Sequence, residues 1–74
     1  MAHPRIVQDP AVMMGKPVVK GTRVPVETVL RRLGTGDPVA QILADYPQLT
    51  EDDIHAAQAF AADYLAGEEI VAAQ

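Results

Sequence analysis

The 74-residue chain contains no cysteine and no serine. Without cysteine it can form neither a disulfide nor a thiolate metal site, and it fits a reducing compartment. Threonine and tyrosine hydroxyls are the remaining candidate nucleophiles. No set of nucleophile, base and orienting group can be assembled from them with His3 and His55. We therefore expect a protein that is not an enzyme and has no catalytic residues.

Long apolar runs are also missing. No run approaches the roughly 20 residues needed to span a bilayer. The start of the chain is interrupted by polar residues and prolines, which is not the pattern of a signal peptide. We expect a cytoplasmic protein with no membrane partner. A chain this short buries only a small core, so dimerisation is the expected means of stabilising it.

Positive charge is absent from the second half of the chain. All six lysines and arginines precede Leu33, where only Asp9 and Glu27 oppose them, so residues 1 to 32 carry a net +4. Residues 33 to 74 hold eight acids and carry −8. The split indicates either a charged partner or self-association. The alternative is that the two halves fold together and neutralise each other locally.

Residues 15 to 26 form the most informative motif, Gly-Lys-Pro-Val-Val-Lys-Gly-Thr-Arg-Val-Pro-Val. Gly15 and Gly21 allow backbone angles that are closed to other residues. Pro17 and Pro25 fix φ and confine any strand to a sheet edge. The pattern predicts a short hairpin or bent arm that presents cations on one side.

Three helices are predicted after this arm from apolar residues at helical spacing. The first begins at Pro25 and ends at Gly34, which is expected in the left-handed position after a helix. The second is capped by Asp37 and stopped by Pro47. A short strand at residues 5 to 8 precedes the arm.

The third helix has the clearest start. Thr50 and Asp53 match a capping box, and Leu49 and Ile54 match a hydrophobic staple. The helix is expected to run to Gly67 and to be followed by a further short helix or a frayed tail. Its predicted apolar face contains Ala57, Phe60, Ala61, Tyr64 and Leu65.

These elements predict one mainly α-helical domain with a short N-terminal β-ribbon. Its parts are an extended basic ribbon at residues 1 to 25, a helical core at 26 to 66 and an acidic C-terminal tail at 67 to 74. The second and third helices have the spacing of a helix-turn-helix. Three-helix cores also use that spacing without touching DNA.

Binding of nucleic acid would depend on the basic ribbon, because the third helix starts with Glu51, Asp52 and Asp53, which repel phosphates. The candidate nucleic-acid contacts are five cations: Lys16, Lys20, Arg23, Arg31 and Arg32. For Arg23, a bridge to an acid or to helix carbonyls is the alternative. The pI of about 4.8 argues against DNA binding, since such domains are typically basic.

Neither a metal nor a cofactor is expected. Glu51 and His55 lie one turn apart, but an acidic helix start followed by a solvated histidine explains that pattern. Gly15-Lys16 lacks the frame of a phosphate-binding loop, and Pro17 stands where a hydroxyl is required.

The sequence resembles the small bacterial DUF433 proteins from about Ile6 to Tyr64. The matching segments are Asp9-Pro10, the motif at residues 15 to 26, Tyr46-Pro47-Gln48-Leu49-Thr50-Glu51-Asp52-Asp53-Ile54, and Ala56-Ala57. The family often has a pair of glycines before the lysine, where this chain has Met14-Gly15. Arginine is frequent in the family where this chain has Lys20.

The resemblance implies a three-helix, homeodomain-like fold without catalytic residues. It also implies that members act as antitoxins of small PIN-like nucleases, in VapBC-like type II toxin–antitoxin pairs. We therefore expect a non-enzymatic antitoxin-like protein. A DNA-binding autoregulator and a dimeric structural or adaptor module are the alternatives.

The expected partners are a PIN-like toxin and a second copy of the chain, with DNA as the alternative ligand. Acids near the C-terminus would cover a cationic RNA-binding cleft, with apolar anchors beside them. The candidate partner contacts are Asp63, Leu65, Glu68, Glu69, Ile70 and Val71.

Overall fold

The computed structural model describes residues 3 to 72, and the side chains of residues 3 to 67. Its elements are β1 (Ile6–Val7), β2 (Val18–Val19), α1 (Val26–Gly34), α2 (Val39–Asp45) and α3 (Glu51–Ala72). The prediction of a mainly helical fold with a short two-stranded ribbon is confirmed. No helix in the described part of the chain is long and apolar enough to cross a membrane.

The basic ribbon is the bent hairpin that the sequence predicts. β1 and β2 pair antiparallel. The chain then turns at Gly21, and the amide of Val19 donates to the carbonyl of Val24 at 3.0 Å. At the end of the ribbon the amide of Val26 donates to the carbonyl of Pro17 at 2.9 Å, which fixes the start of α1 against β2.

The valines of this ribbon are core residues. Val18 and Val19 are each 1% exposed, and Val24 is 5% exposed. The neighbouring cations stay on the surface. The motif therefore contributes both packing and exposed positive charge. The buried core as a whole comprises Ile6, Val18, Val19, Val24, Val26, Val29, Ile42, Leu49, Ile54 and Ala57.

A strained turn precedes β2. Met13, Met14 and Gly15 have φ of +49°, +58° and +83°. A side-chain-bearing residue in this left-handed region costs roughly 1–2 kcal/mol. The turn is closed by the amide of Gly15, which donates to the carbonyl of Val12 at 3.0 Å. The side chain of Met14 is 93% exposed, so burial does not compensate for the strain.

The end of α1 differs from the prediction. Gly34 is the last helical residue, and Gly36, with φ of +88°, takes the left-handed position. The amide of Gly36 donates to the carbonyl of Leu33 at 3.0 Å, and that of Asp37 donates to the carbonyl of Arg32 at 3.1 Å. These are the two bonds of a Schellman motif. The prediction that Gly34 takes the left-handed position was wrong. Two glycines follow the apolar pattern of α1, and the Schellman motif closes on the second of them, Gly36.

Asp37 does not cap α2, so this prediction was also wrong. Pro38 holds the N-cap position, with φ of −66° and ψ of 148°. The amide of Gln41 donates to the carbonyl of Pro38 at 3.0 Å. The Asp37 carboxylate instead accepts a hydrogen bond from Nε of Arg32. The guanidinium is charged, which makes this bond stronger than one to a helix amide.

The start of α3 matches the prediction. The amide of Thr50 donates to Oδ2 of Asp53 at 3.0 Å, and the amide of Asp53 faces Oγ1 of Thr50 at 3.3 Å. Leu49 and Ile54 are both buried, as the two members of a hydrophobic staple should be. Both the capping box and the staple are therefore confirmed.

The end of α3 was predicted wrongly. The helix does not stop at Gly67 but continues to Ala72. Glycine in a helix interior costs only about 1 kcal/mol relative to alanine, and alanine-rich sequence favours the helix on the preceding side. Residues 67 to 72 therefore belong to the helix rather than to a separate tail.

Candidate interaction surfaces

The second half of α3 leaves the core. Ala57 is fully buried, whereas every residue from 62 to 67 is exposed. Tyr64 and Leu65 were predicted on the apolar face of this helix, yet they are 63% and 59% exposed. A helix end with large apolar side chains that the described chain does not cover is a candidate docking surface.

An open groove of about 390 Å³ lies beside this helix end, between α1 and α3. Its α1 wall also includes a ribbon proline, and its α3 wall includes two aromatic rings. The apolar lining residues are Pro17, Val26, Leu30, Phe60, Ala61, Tyr64 and Leu65. Helical periodicity in the sequence identified the apolar face of α3. It did not reveal that the outer part of that face stays uncovered.

The two rims of the groove differ in charge. On the α1 rim, Nζ of Lys16 lies 3.2 Å from Glu27 and Nη2 of Arg31 lies 3.7 Å from the same carboxylate. One carboxylate facing two cations leaves a net charge of about +1 there. The opposite wall belongs to α3, which contains acids and no lysine or arginine.

The start of the chain is attached to α3 through His3, which no sequence pattern marks as a contact residue. Nε2 of His3 lies 2.8 Å from Oδ2 of Asp63. The His3 ring meets the Phe60 ring edge-on, with centroids 5.4 Å apart, and Phe60 stacks with Tyr64 at 6.4 Å. This contact joins residues 60 positions apart, so no local sequence signal marks it.

Three of the five candidate nucleic-acid contacts are already paired with acids. Lys16 and Arg31 share Glu27, and Arg32 pairs with two aspartates. Lys20 and Arg23 lie at the hairpin turn, and neither forms an ion pair within the described residues. The alternative bridge from Arg23 to an acid is therefore not found in that part of the chain.

Arg32 joins α1 to α2. Besides Asp37, its guanidinium reaches Asp45, with Nη2 and Oδ2 2.6 Å apart. It also lies 5.9 Å from the centroid of the Tyr46 ring. Hydrogen bonds to Asp37 and Asp45 raise the pKa of Arg32 above its usual value. The bonds from Arg32 and Gln41 lower the pKa of Asp45. Arg32 therefore acts as a structural link between helices.

Arg5 joins β1 to the start of α3. Its Nη1 donates to Oδ1 of Asp53 at 3.0 Å, and its Nη2 lies 3.7 Å from Asp52. Burial alone would raise the pKa of Asp53. The Thr50 amide and hydroxyl and the Arg5 guanidinium outweigh it, so the pKa is lowered. The ion pairs of Arg5 and Arg32 join cations of the basic first half of the chain to acids of the second half. They are therefore examples of the local neutralisation that was the alternative explanation of the charge split.

The candidate partner contacts fall into two sets. Asp63 and Leu65 lie on the exposed second half of α3, with the Asp63 side chain 61% exposed. The others lie outside the residues whose side chains are described: Glu68, Glu69, Ile70 and Val71. Glu51 and His55 are exposed, and no group of three potential metal ligands occurs among the described residues.

Comparisons with known proteins agree with this architecture. A family model described as protein of unknown function (DUF433) matches residues 6–61, and the chain belongs to this family. The crystal structure of a DUF433 member from Anabaena variabilis is similar, with a TM-score of 0.78 and 31% identity. The match covers 95% of this chain and 69% of that one.

Two further relatives are uncharacterized proteins. Protein y4eO of Sinorhizobium fredii is 36% identical over 56 residues, which is 76% of this chain and 25% of that protein. A protein of Archaeoglobus fulgidus is 59% identical over 27 residues, which is 36% of this chain and 75% of that one. The chain thus spans about a quarter of the length of y4eO.

Proposed function

We propose that the protein is a non-enzymatic, antitoxin-like protein that binds and inhibits a small PIN-like nuclease. One observation carries the proposal: the second half of α3 projects from the core with Tyr64 and Leu65 exposed. The helix bears acids and no cation. A nuclease must bind the RNA backbone and therefore presents a cationic cleft, which such a helix complements.

The inhibitory contact starts at Asp63 and Leu65. The carboxylate supplies charge against the cleft, and the leucine supplies an apolar anchor that excludes water around it. The sequence continues with two acids and two large aliphatic residues, Glu68, Glu69, Ile70 and Val71. Opposite potentials accelerate encounter of the two proteins, so inhibition should weaken as ionic strength rises.

DNA-binding autoregulation is the second candidate. It requires the finer fold to be homeodomain-like, with α2, the following turn and α3 as a helix-turn-helix. One observation favours it: Lys20 and Arg23 project from the hairpin turn, unpaired within the described residues. The exposed Glu51 and Asp52 at the start of α3 oppose it, because they would meet phosphates at the position of a reading helix.

Co-expression with the product of the neighbouring reading frame tests the proposal. We expect a complex that co-elutes and that relieves the toxicity of that product. Asp63→Lys combined with Leu65→Lys should abolish rescue. Gln58→Lys changes an exposed residue of the same helix nearer the core, and it should leave rescue intact.

The outcomes separate the candidates. Rescue that persists in the variant with both Asp63→Lys and Leu65→Lys would place the contact away from the end of α3. Absence of both complex and toxicity would refute the antitoxin function. A gel shift lost on Lys20→Ala and Arg23→Ala would then support autoregulation, and its absence would leave the adaptor function.

A further inference from the structure

The groove between α1 and α3 and the projecting end of α3 form one continuous surface. Tyr64 and Leu65 are groove-lining residues and at the same time the most exposed large apolar side chains of α3 within the described residues. The surface therefore carries a recess and a projection side by side. Such a surface can pair with itself about a two-fold axis, because every contact in that arrangement occurs twice.

The charges of the rims select the occupant. The α1 rim keeps about one positive charge after Glu27 has paired with Lys16 and Arg31, whereas α3, which forms the opposite wall, contains acids and no lysine or arginine. A uniformly acidic or uniformly basic partner would meet like charge on one rim. A second copy related by a two-fold axis sets each positive rim against an acidic one.

A dimer through this surface would bury a substantial share of the chain's accessible area. A stable pair of proteins buries roughly 800 Å² on each partner. The accessible surface of this chain is 4988 Å², so the requirement is about one sixth of it. A short chain with a small core and no cysteine also gains stability when a second copy covers exposed apolar groups.

We propose that this groove is the dimer interface, occupied by the α3 helix of a second copy of the chain. Phe60, Ala61 and Tyr64 of each copy then face Pro17 and Leu30 of the other. Tyr64 and Leu65 are shared with the surface proposed for the nuclease. The inference does not depend on that nuclease, and it is tested at a position that the inhibitory contact does not use.

Ala61 and Ala62 provide a matched pair of sites. Both are helical, but Ala61 lines the groove, whereas Ala62 is exposed and does not. Sedimentation velocity over a range of concentrations should show a dimer for the wild type. Ala61→Glu should weaken the dimer by at least about tenfold in dissociation constant, because a carboxylate cannot be buried there unpaired. Ala62→Glu should leave it unchanged.

A second measurement covers the case in which Ala61→Glu fails to fold, which circular dichroism would reveal. The chain has no cysteine, so Ala61→Cys and Ala62→Cys each introduce the sole thiol. The thiol at position 61 should react with a maleimide more slowly at high protein concentration than at low. The thiol at position 62 should react equally at both.

Three results would overturn the inference. The first is a monomer at every concentration. The second is a dimer that persists in a folded Ala61→Glu variant, and the third is a dimer that protects neither thiol. Neither measurement includes a nuclease, so the dimer interface and the antitoxin function fail independently.

Discussion

Replacing Asp53 with alanine is expected to destabilise the protein more than replacing either of the exposed acids beside it, Glu51 and Asp52. Asp53 is 8% exposed and contacts the Thr50 amide and the Arg5 guanidinium, each at 3.0 Å. Loss of the cap costs about 1 kcal/mol. The ion pair adds up to about 1 kcal/mol, reduced because Arg5 is half exposed. We expect a total of about 1.5–2 kcal/mol.

Urea unfolding followed by circular dichroism, at one fixed protein concentration, measures this loss. In a domain of this size, each kcal/mol lowers the midpoint of thermal unfolding by roughly 4–8 °C. Asp52→Asn is the matched control. Asp52 approaches the same arginine at 3.7 Å with its side chain 75% exposed, so its replacement should change stability by less than about 0.5 kcal/mol. Equal costs for the two variants would refute the reasoning.

The pH dependence of unfolding follows from the same residue. The folded state lowers the pKa of Asp53, so its carboxylate stabilises the fold above the unfolded-state pKa of about 3.9. That contribution is lost as the pH falls through the lower folded-state pKa. Asp53→Asn keeps the side-chain shape without the charge. The difference in stability between wild type and Asp53→Asn should therefore be full at pH 7 and shrink below about pH 4. A difference that stays constant to pH 2 would contradict the assignment.

The remaining predictions concern backbone conformation. Met14→Gly should stabilise the protein by about 0.5–1 kcal/mol, because Met14 is strained at φ of +58° and its side chain is exposed. Met14→Ala, which keeps the strain, should be neutral in the same urea titration. Gly36→Ala should destabilise by about 1 kcal/mol, since Gly36 has φ of +88°. Gly34 lies in the helix, and an added Cβ there would meet open space, so Gly34→Ala should be neutral or stabilising. Equal effects at the two glycines would refute the assigned end of α1.

The sequence predicted features whose determinants are close together in the chain. Thr50 and Asp53 are three residues apart, and their hydrogen bonds require only a helix start. The hairpin at residues 15 to 26 is similarly local. The prediction failed where two local signals competed. Gly34 and Gly36 could both end α1, and the hydrogen bonds that close the helix end select Gly36. Asp37 was assigned to a cap because its tertiary partner, Arg32, was not apparent from the chain.

The contacts that assemble the candidate surfaces were not predictable from the sequence. The pair formed by Arg5 and Asp53 spans 48 residues, and that of His3 and Asp63 spans 60. Helical periodicity placed Tyr64 on an apolar face, but a face is covered only if other elements reach it. In this fold Phe60 packs against the core, whereas Tyr64 lies exposed beside an open groove.

The cations left over after these pairings decide how strong a DNA function can be. Each neutralised phosphate contributes roughly −0.9 to the slope of log affinity against log salt concentration on duplex DNA. Lys20 and Arg23 offer two contacts per chain, so a two-fold pair would give a slope of about −4 at most. Recruiting Arg31 or Arg32 would break their bonds to Glu27, Asp37 or Asp45. A steeper slope would show that these ion pairs open on DNA. A slope of about −4 or smaller in magnitude fits DNA contacts made by Lys20 and Arg23 alone.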